Sequence, residues 1–358
     1  MLNHRVVTLV DAAQAGTAPT FEDILFLLEF SPESAEAAYA CAVARQMTKQ
    51  ACEGMGLVHA QIGLDKGPCP ENCRFCSFAA VNAAGVKAAT TMPYMDCNGD
   101  FCRMVYPTEE QIAAAQASGP VPLEDVLHFA RLFDQECVHL ISLMATAALP
   151  FEQLLEAVSA VREAVSPDMP LLVNCGDVSL AQAQQLKDAG AQAAYHARRL
   201  QEGEITDIAP DQRFETIRNL RAAGLALMTG VEPVWPGVAF EELAARICEI
   251  PAFDPYCIGA CKLTCARGTA MEAEEEPTRL QVAYVAALVR LCVGLAAPVG
   301  GSGGVAWVDA GTDPRSRGYD SADAALSQKI ADARKHLRYD GWDVPTRPLR
   351  RLMFPERK

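Results

Sequence analysis

The sequence predicts an α/β fold, either a partial (β/α)6-type barrel or a near-complete (β/α)8 TIM-like barrel. Apolar strand-like runs alternate with helical patterns through the middle of the chain, the alternation that builds a parallel sheet. Gly190 and Gly224 each stand after a helical pattern and before a strand, where helices stop. About five or six such units follow in one frame, which favours a barrel over an open sheet and places functional groups at the C-terminal strand ends.

Each element has its own signal. Ser31-Pro32 reads as an N-cap followed by proline at the first helical position, opening a helix to about Glu53. An N-terminal helical segment, 1–55, therefore precedes the barrel. Leu57–Leu64 is the first strand. Helix Leu123–Asp134 leads to strand Cys137–Leu143, and helix Phe151–Ala164 to strand Pro170–Cys175. Helix Leu180–Asp188 leads to strand Gln192–His196, and helix Asp211–Ala223 to strand Leu225–Gly230. Helix Phe240–Glu249 leads to the segment Tyr256–Leu263. Phe78 to Ser118, with Pro93 and Pro107, is too long for an ordinary βα loop and reads as a lid or small subdomain (78–118) inserted in a barrel of 56–298. Val282–Pro298 reads as an amphipathic helix, interrupted by Arg290, and not as a membrane span. A C-terminal extension, 299–358, holds Gly300 to Gly304, a strand Val305–Val308 and a charged helix. The glycine run lacks both the P-loop Lys-Ser/Thr and the Rossmann spacing, so it is a tight turn and not a phosphate cradle.

Composition narrows the function. The chain has 358 residues, 50% of them hydrophobic and 21% charged, which supports a large core and excludes global disorder. A net charge of −14 argues against nucleic acid and against an anionic membrane surface as partners. Met1 to Gly16 has no long apolar run of the secretory kind, so a cytoplasmic location is expected. In that reducing compartment disulfides are rare, and the 14 cysteines are core residues, catalytic thiols or metal ligands.

Spacing separates them. Gly67-Pro68-Cys69-Pro70-Glu71-Asn72-Cys73-Arg74-Phe75-Cys76 places three thiols at C-x3-C-x2-C directly after the first strand. Three such thiols can wrap one corner of a [4Fe–4S] cube and leave the fourth iron for a non-protein ligand. An amino acid with a free amine and carboxylate can chelate that iron, which supports reductive cleavage of S-adenosylmethionine. The competing assignment is a zinc site completed by His59, although structural zinc usually takes four protein ligands. Cys257-x3-Cys261-x3-Cys265 is a second row, at the last strand. Fully extended, its ends lie about 26 Å apart at ~3.3 Å per residue, too far for one cluster. Helical or turned, it presents all three on one face. An auxiliary cluster on this row, with Cys175 as a further candidate ligand, thus requires that the segment is not a straight strand. Cys97-x4-Cys102 lies in the long connection and is either a metal-binding pair or two loop thiols. Cys41, Cys52, Cys137, Cys248 and Cys292 read as core residues.

Gln61 to Phe78 resembles the radical SAM superfamily, and within it biotin synthase and its relatives. Val126–Leu143, Leu171–Gly176, Tyr195–Leu200, Leu225–Gly237, Arg267-Gly268-Thr269 and Gly303 to Pro314 follow the order of that family's segments. The resemblance implies a barrel of the radical SAM kind, a [4Fe–4S] cluster on Cys69, Cys73 and Cys76, an S-adenosylmethionine cofactor, and a 5′-deoxyadenosyl radical that abstracts hydrogen from a substrate. It implies an electron donor such as flavodoxin or ferredoxin, and a small-molecule or carrier-borne acyl substrate. The positions that hold biotin synthase's sulfur-donating cluster fall on Ser142, Cys175 and Met228, of which one is a thiol. Sulfur insertion of the biotin- or lipoyl-synthase kind would then draw on Cys257, Cys261 and Cys265. The alternatives are rearrangement, cleavage or methylation without sulfur insertion, or a non-catalytic iron–sulfur or zinc scaffold.

Polar partners for S-adenosylmethionine are sought at strand ends. Asn174 and Asp177 flank the third strand, and Arg198 and Arg199 follow the fourth. The resemblance implies a guanidinium for the methionyl carboxylate there. Gly230-Val231-Glu232 looks like the family's segment beside the adenine, with Glu232 as either a hydrogen-bond acceptor or a cap of the next helix. His139 and His196 alternate with apolar residues and read as barrel histidines, either satisfied in the core or facing substrate.

Overall fold

A computed structural model describes residues 1–98, 101–109, 112–113, 117–310 and 319–347. Eight strands form one all-parallel sheet: β1 (Leu57–Gly63), β4 (Leu140–Met144), β5 (Leu171–Asn174), β6 (Ala193–Tyr195), β7 (Ala226–Val234), β8 (Cys257–Lys262), β9 (Val299–Gly300) and β10 (Val305–Asp309). Their order, β10-β1-β4-β5-β6-β7-β8-β9, curls them into a nearly closed α/β barrel. A separate antiparallel pair, β2 (Tyr94–Asn98) and β3 (Phe101–Val105), lies in the long connection, with Cys97 opposite Cys102 in its register.

The strands are buried on both faces, so they read as near-continuous apolar runs. Leu57, Leu140, Leu172, Ala193, Cys257 and Val299 fill the barrel floor. The outward residues pack against helices α5 (Leu123–Gln135), α6 (Phe151–Ala164), α7 (Leu180–Asp188) and α8 (Pro210–Ala222) on one side. On the other side lie α9 (Phe240–Glu249), α10 (Arg279–Val293) and the N-terminal helices α1 (His4–Gln14), α2 (Phe21–Leu28) and α3 (Ala35–Ala51). The connection after the cysteine loop contributes α4 (Ala83–Thr90), and α11 (Tyr319–Tyr339) closes the described chain.

The sheet continues past residue 298. β9 pairs with the start of β8 and β10 with the start of β1, so residues 301–304 bridge the gap at the N-terminal end of the barrel. Gly300, Gly301, Gly303 and Gly304 all have positive φ, and a Cβ on Gly300 would lie 2.1 Å from the Ile258 carbonyl oxygen. That confirms a tight turn, but one that belongs to the barrel.

Three local expectations are corrected. The helix expected from Pro32 begins at Ala35, because Ser34 and not Ser31 caps it, accepting from the Ala37 N–H at 3.1 Å. The strand expected from Cys137 begins at Leu140, since Cys137 turns with φ 53°. α10 is not amphipathic over its last three turns: every residue from Tyr284 to Val293 is buried. Arg290 is tolerated there because the carbonyls of Gly294, Ala297 and Gly300 and the Thr48 hydroxyl take its N–H groups. No helix among the described residues is long and apolar enough to cross a membrane.

Candidate functional site

The loop that follows β1 is built by hydrogen bonds that consume its main chain and leave its thiols free. The Asp65 carboxylate accepts from the Gly67 N–H at 3.1 Å and from the Thr146 N–H and hydroxyl at 2.7 and 2.6 Å, fastening the loop to the end of β4. The Asn82 amide donates to the carbonyls of Cys73, Arg74 and Cys76 at 3.4, 2.9 and 3.0 Å. Its oxygen accepts from the Ala270 N–H at 3.0 Å, so one buried side chain holds the turn and ties it to the loop after β8. Asn72 donates to Asp207 at 2.7 Å and accepts from the Val81 N–H at 3.0 Å. Asn72 has φ 49°, a conformation asparagine tolerates better than most residues.

Cys69, Cys73 and Cys76 line one cavity of about 250 Å³ at the C-terminal mouth of the barrel, with Gly63, Met144, Asn174, Tyr195, His196, Arg199 and Arg213 on its other walls. All three are free thiols. Burial pushes the Cys73 thiol up to about 12 against the pull of Arg199, and burial likewise raises Cys76. Such thiols keep their protons until a metal cation displaces them. Among the described residues no three His, Cys, Asp or Glu side chains converge as a single metal ion requires. His59 does not join them: it lies buried beside Trp307, ring centroids 4.9 Å apart. With His59 withdrawn, the three closely spaced loop thiols suit one corner of a cube better than the zinc site that His59 would have completed.

The other expected residues divide. Asn174 and Arg199 line the cavity. Arg199 Nε lies 3.6 Å from Glu232; burial works against its charge, but Glu232 and then Cys73 prevail and raise its pKa. Glu232 also neighbours Tyr195 and Cys261. Arg198 turns away, 3.2 Å from Glu249 and stacked 4.7 Å over Phe214, as adjacent residues at a strand exit point to opposite sides. Asp177 misses this cavity and faces a neighbouring one of about 440 Å³. Its Oδ1 already accepts from Thr216 at 2.8 Å and lies 2.9 Å from His196 and 3.3 Å from Arg213. Burial opposes its charge, yet His196 and Arg213 hold its pKa at about 2. Gly230 is spent on strand packing: a Cβ there would meet the Gly259 carbonyl oxygen at 2.5 Å. Cys175 lies in the wall shared by the two cavities. His139 is a satisfied core histidine, accepting from the Val58 N–H at 2.7 Å. Ser142 lies on β4 and Met228 on β7, so those two positions offer no thiol.

The second cysteine row is corrected outright. Residues Cys257 to Lys262 form a strand in register with β7, and Cys265 lies beyond its end. At ~3.3 Å per residue Cys257 and Cys261 are about 13 Å apart, and Cys265 is farther along. Cys257 is buried on the barrel floor, while the Cys265 thiol donates to the Glu274 carbonyl outside it. One cluster cannot collect all three. The side chains of Cys97 and Cys102 lie outside the described residues.

Arg213 was not anticipated. Its side chain is 2% exposed, 2.9 Å from Glu71, 3.3 Å from Asp177 and 3.7 Å from Glu202, and it ties the cysteine loop to α8. The only trace in the sequence is an arginine between Gln212 and Phe214 on a helix rich in polar residues, which reads as surface.

No family model matches the chain. The biotin synthase of Picosynechococcus is 29% identical over 196 residues, 53% of this chain and 47% of the relative. The chain thus spans about half the length of the curated relatives it matches. Among solved structures, methylornithine synthase (PylB) superposes with a TM-score of 0.65 at 15% identity, over 96% of this chain and 97% of that one. The FeFe-hydrogenase maturase HydG from Carboxydothermus hydrogenoformans gives 0.62 at 13% identity, over 95% and 79%. At these identities the structures share the fold.

Proposed function

On the premise that the chain is a radical SAM, biotin synthase-like protein, we propose that it is an enzyme that takes hydrogen from a small or carrier-borne substrate without inserting sulfur. The observation that carries the proposal is the meeting of Cys69, Cys73 and Cys76 in one cavity at the barrel mouth, beside two guanidiniums. Those thiols would hold a [4Fe–4S] cluster. When bound, the cluster and S-adenosylmethionine supply reductive cleavage and with it a 5′-deoxyadenosyl radical.

The chain's own residues bind, orient and exclude water. Asn174 and Arg199 are the polar groups placed to hold the amino-acid end of S-adenosylmethionine, and a guanidinium suits a carboxylate. Glu232, already paired to Arg199, keeps that guanidinium charged and oriented. Arg213 acts through Glu71 and so positions the cysteine loop. Met144, Phe78 and Ala147 give the cavity its apolar walls. A small cavity inside a barrel supports a small molecule or a short carrier-borne chain as substrate. Free thiols throughout the described residues support a reducing compartment, the cytoplasm, with a flavodoxin or ferredoxin as electron donor.

The strand geometry of Cys257 to Cys261 supports rearrangement, cleavage or methylation over sulfur insertion. Anaerobic reconstitution with iron and sulfide, followed by dithionite and S-adenosylmethionine, tests the class. Methionine and 5′-deoxyadenosine should form; their absence would sink the proposal.

A further inference from the structure

Above the barrel floor there is room beside Gly259 on β8. On β8 the residues Cys257, Gly259 and Cys261 share the inward face, as Cys257 packs on the floor while Ile258 packs outward against the helices. A Cβ built on Gly259 would meet nothing within 4 Å. On β1, His59 shares the inward face with Leu57, is 0% exposed, and has both ring nitrogens without a partner. That imidazole is sealed within the barrel wall, so the room beside Gly259 does not reach it.

Cys261 stands over that space. It is solvent-accessible, one strand layer above Gly259, and at the end of β8 where the barrel opens. The register shift between Val231 and Val234 sets Glu232 across from it. The Glu232 carboxylate lies beside the Cys261 thiol and the Tyr195 phenol, and Tyr195 and Arg199 line the cavity that holds Cys69, Cys73 and Cys76. Cys261 thus stands near the cavity of the first cysteine row, separated from it by Glu232, Tyr195 and Arg199.

We propose that Cys261 is a catalytic residue that gives a hydrogen atom to a carbon-centred radical formed in the barrel. This rests on the radical SAM proposal above. A thiol S–H is more readily broken than an aliphatic C–H, so transfer runs from sulfur to carbon. The S–H bond breaks, a C–H bond forms, and a thiyl remains on Cys261. One electron from the flavodoxin- or ferredoxin-type donor and one proton from solvent through Glu232 restore the thiol. The net outcome suits reactions that end with hydrogen returned to the product, such as rearrangement or epimerisation.

Thiol hydrogens exchange with solvent and carbon-bound hydrogens do not, which makes the transfer visible without knowing the substrate. The reconstituted enzyme is turned over in D2O with dithionite and S-adenosylmethionine alone, and 5′-deoxyadenosine is analysed by mass spectrometry. A singly deuterated fraction is expected. It should fall by about tenfold or more per molecule formed in Cys261→Ser and persist in Tyr195→Phe. Unlabelled product from the wild type, or label retained in Cys261→Ser, overturns the proposal. Failure to form any 5′-deoxyadenosine instead overturns the radical SAM proposal on which it rests. A second measurement needs no turnover: in the metal-free chain iodoacetamide should modify Cys261 well before Cys257. Modification of Cys257 first would place Cys261 away from the open barrel and overturn the assignment.

Discussion

The loop from Cys69 to Cys76 and the strand from Cys257 toward Cys265 each carry three thiols, yet only the loop brings them to one cavity. In the loop, carbonyls and N–H groups are taken by Asn82, Asp65 and neighbouring main chain, so the backbone can wrap around a centre. In the strand, ladder hydrogen bonds to β7 fix the rise per residue and hold the thiols apart. Spacing of cysteines along a chain therefore says little until the secondary structure beneath it is known. The two rows also differ in electrostatics. Cys73 faces Arg199, which favours the thiolate a metal needs; Cys261 faces Glu232, which opposes it and raises the thiol.

The contrast can be broken at several points. Cys73→Ala should have the largest effect: the 4Fe–4S absorption and S-adenosylmethionine cleavage both fall to background, whereas retained absorption would relocate the cluster. Arg213→Ala leaves Glu71, Asp177 and Glu202 around an empty position, and removing one partner of a buried ion pair costs about 3–5 kcal/mol. Urea denaturation should show that loss, with iron retention falling alongside. Asn82→Ala strands three carbonyls and should cost about 1–3 kcal/mol, read the same way. Cys265→Ala should do least, leaving iron content at the wild-type level, because its thiol engages Glu274 outside the barrel.

Acidification probes the scaffold behind the loop. Burial holds His196 at about 4, against 6.5 for a free imidazole, even though Asp177 pulls it upward. Between those values the unfolded chain binds the proton and the folded chain does not, so stability falls as pH drops from 6.5 toward 4. Asp177, held at about 2 from 3.8, adds a further loss as pH falls through that lower window. Thermal melts across pH 4–7 should show the first slope, to which the buried His59 and His139 also contribute, and His196→Gln should make it shallower.

Much of the architecture was legible because periodicity and stop signals are local. Helices Phe151–Ala164, Leu180–Asp188 and Phe240–Glu249 lie where the pattern put them, and the first cysteine row follows β1 as expected. The barrel's closure was not legible, since a glycine run that joins two edge strands looks like any tight turn. Among site residues, Asn174 and Arg199 could be placed by their strand ends. Which of two adjacent arginines turns inward is decided by Glu232 and Glu249, both distant in sequence. Arg213 reaches Glu71 and Asn82 reaches Ala270, each more than a hundred residues away, and nothing in their immediate neighbours marks these links.

Iron and sulfide content after anaerobic reconstitution tests most directly whether only the first row holds a cluster. About four irons and four sulfides per chain are expected, falling toward zero in Cys73→Ala and unchanged when Cys257, Cys261 and Cys265 are all replaced by alanine. About eight irons in the wild type, reduced to about four by that triple replacement, would contradict it and restore a second cluster to the strand.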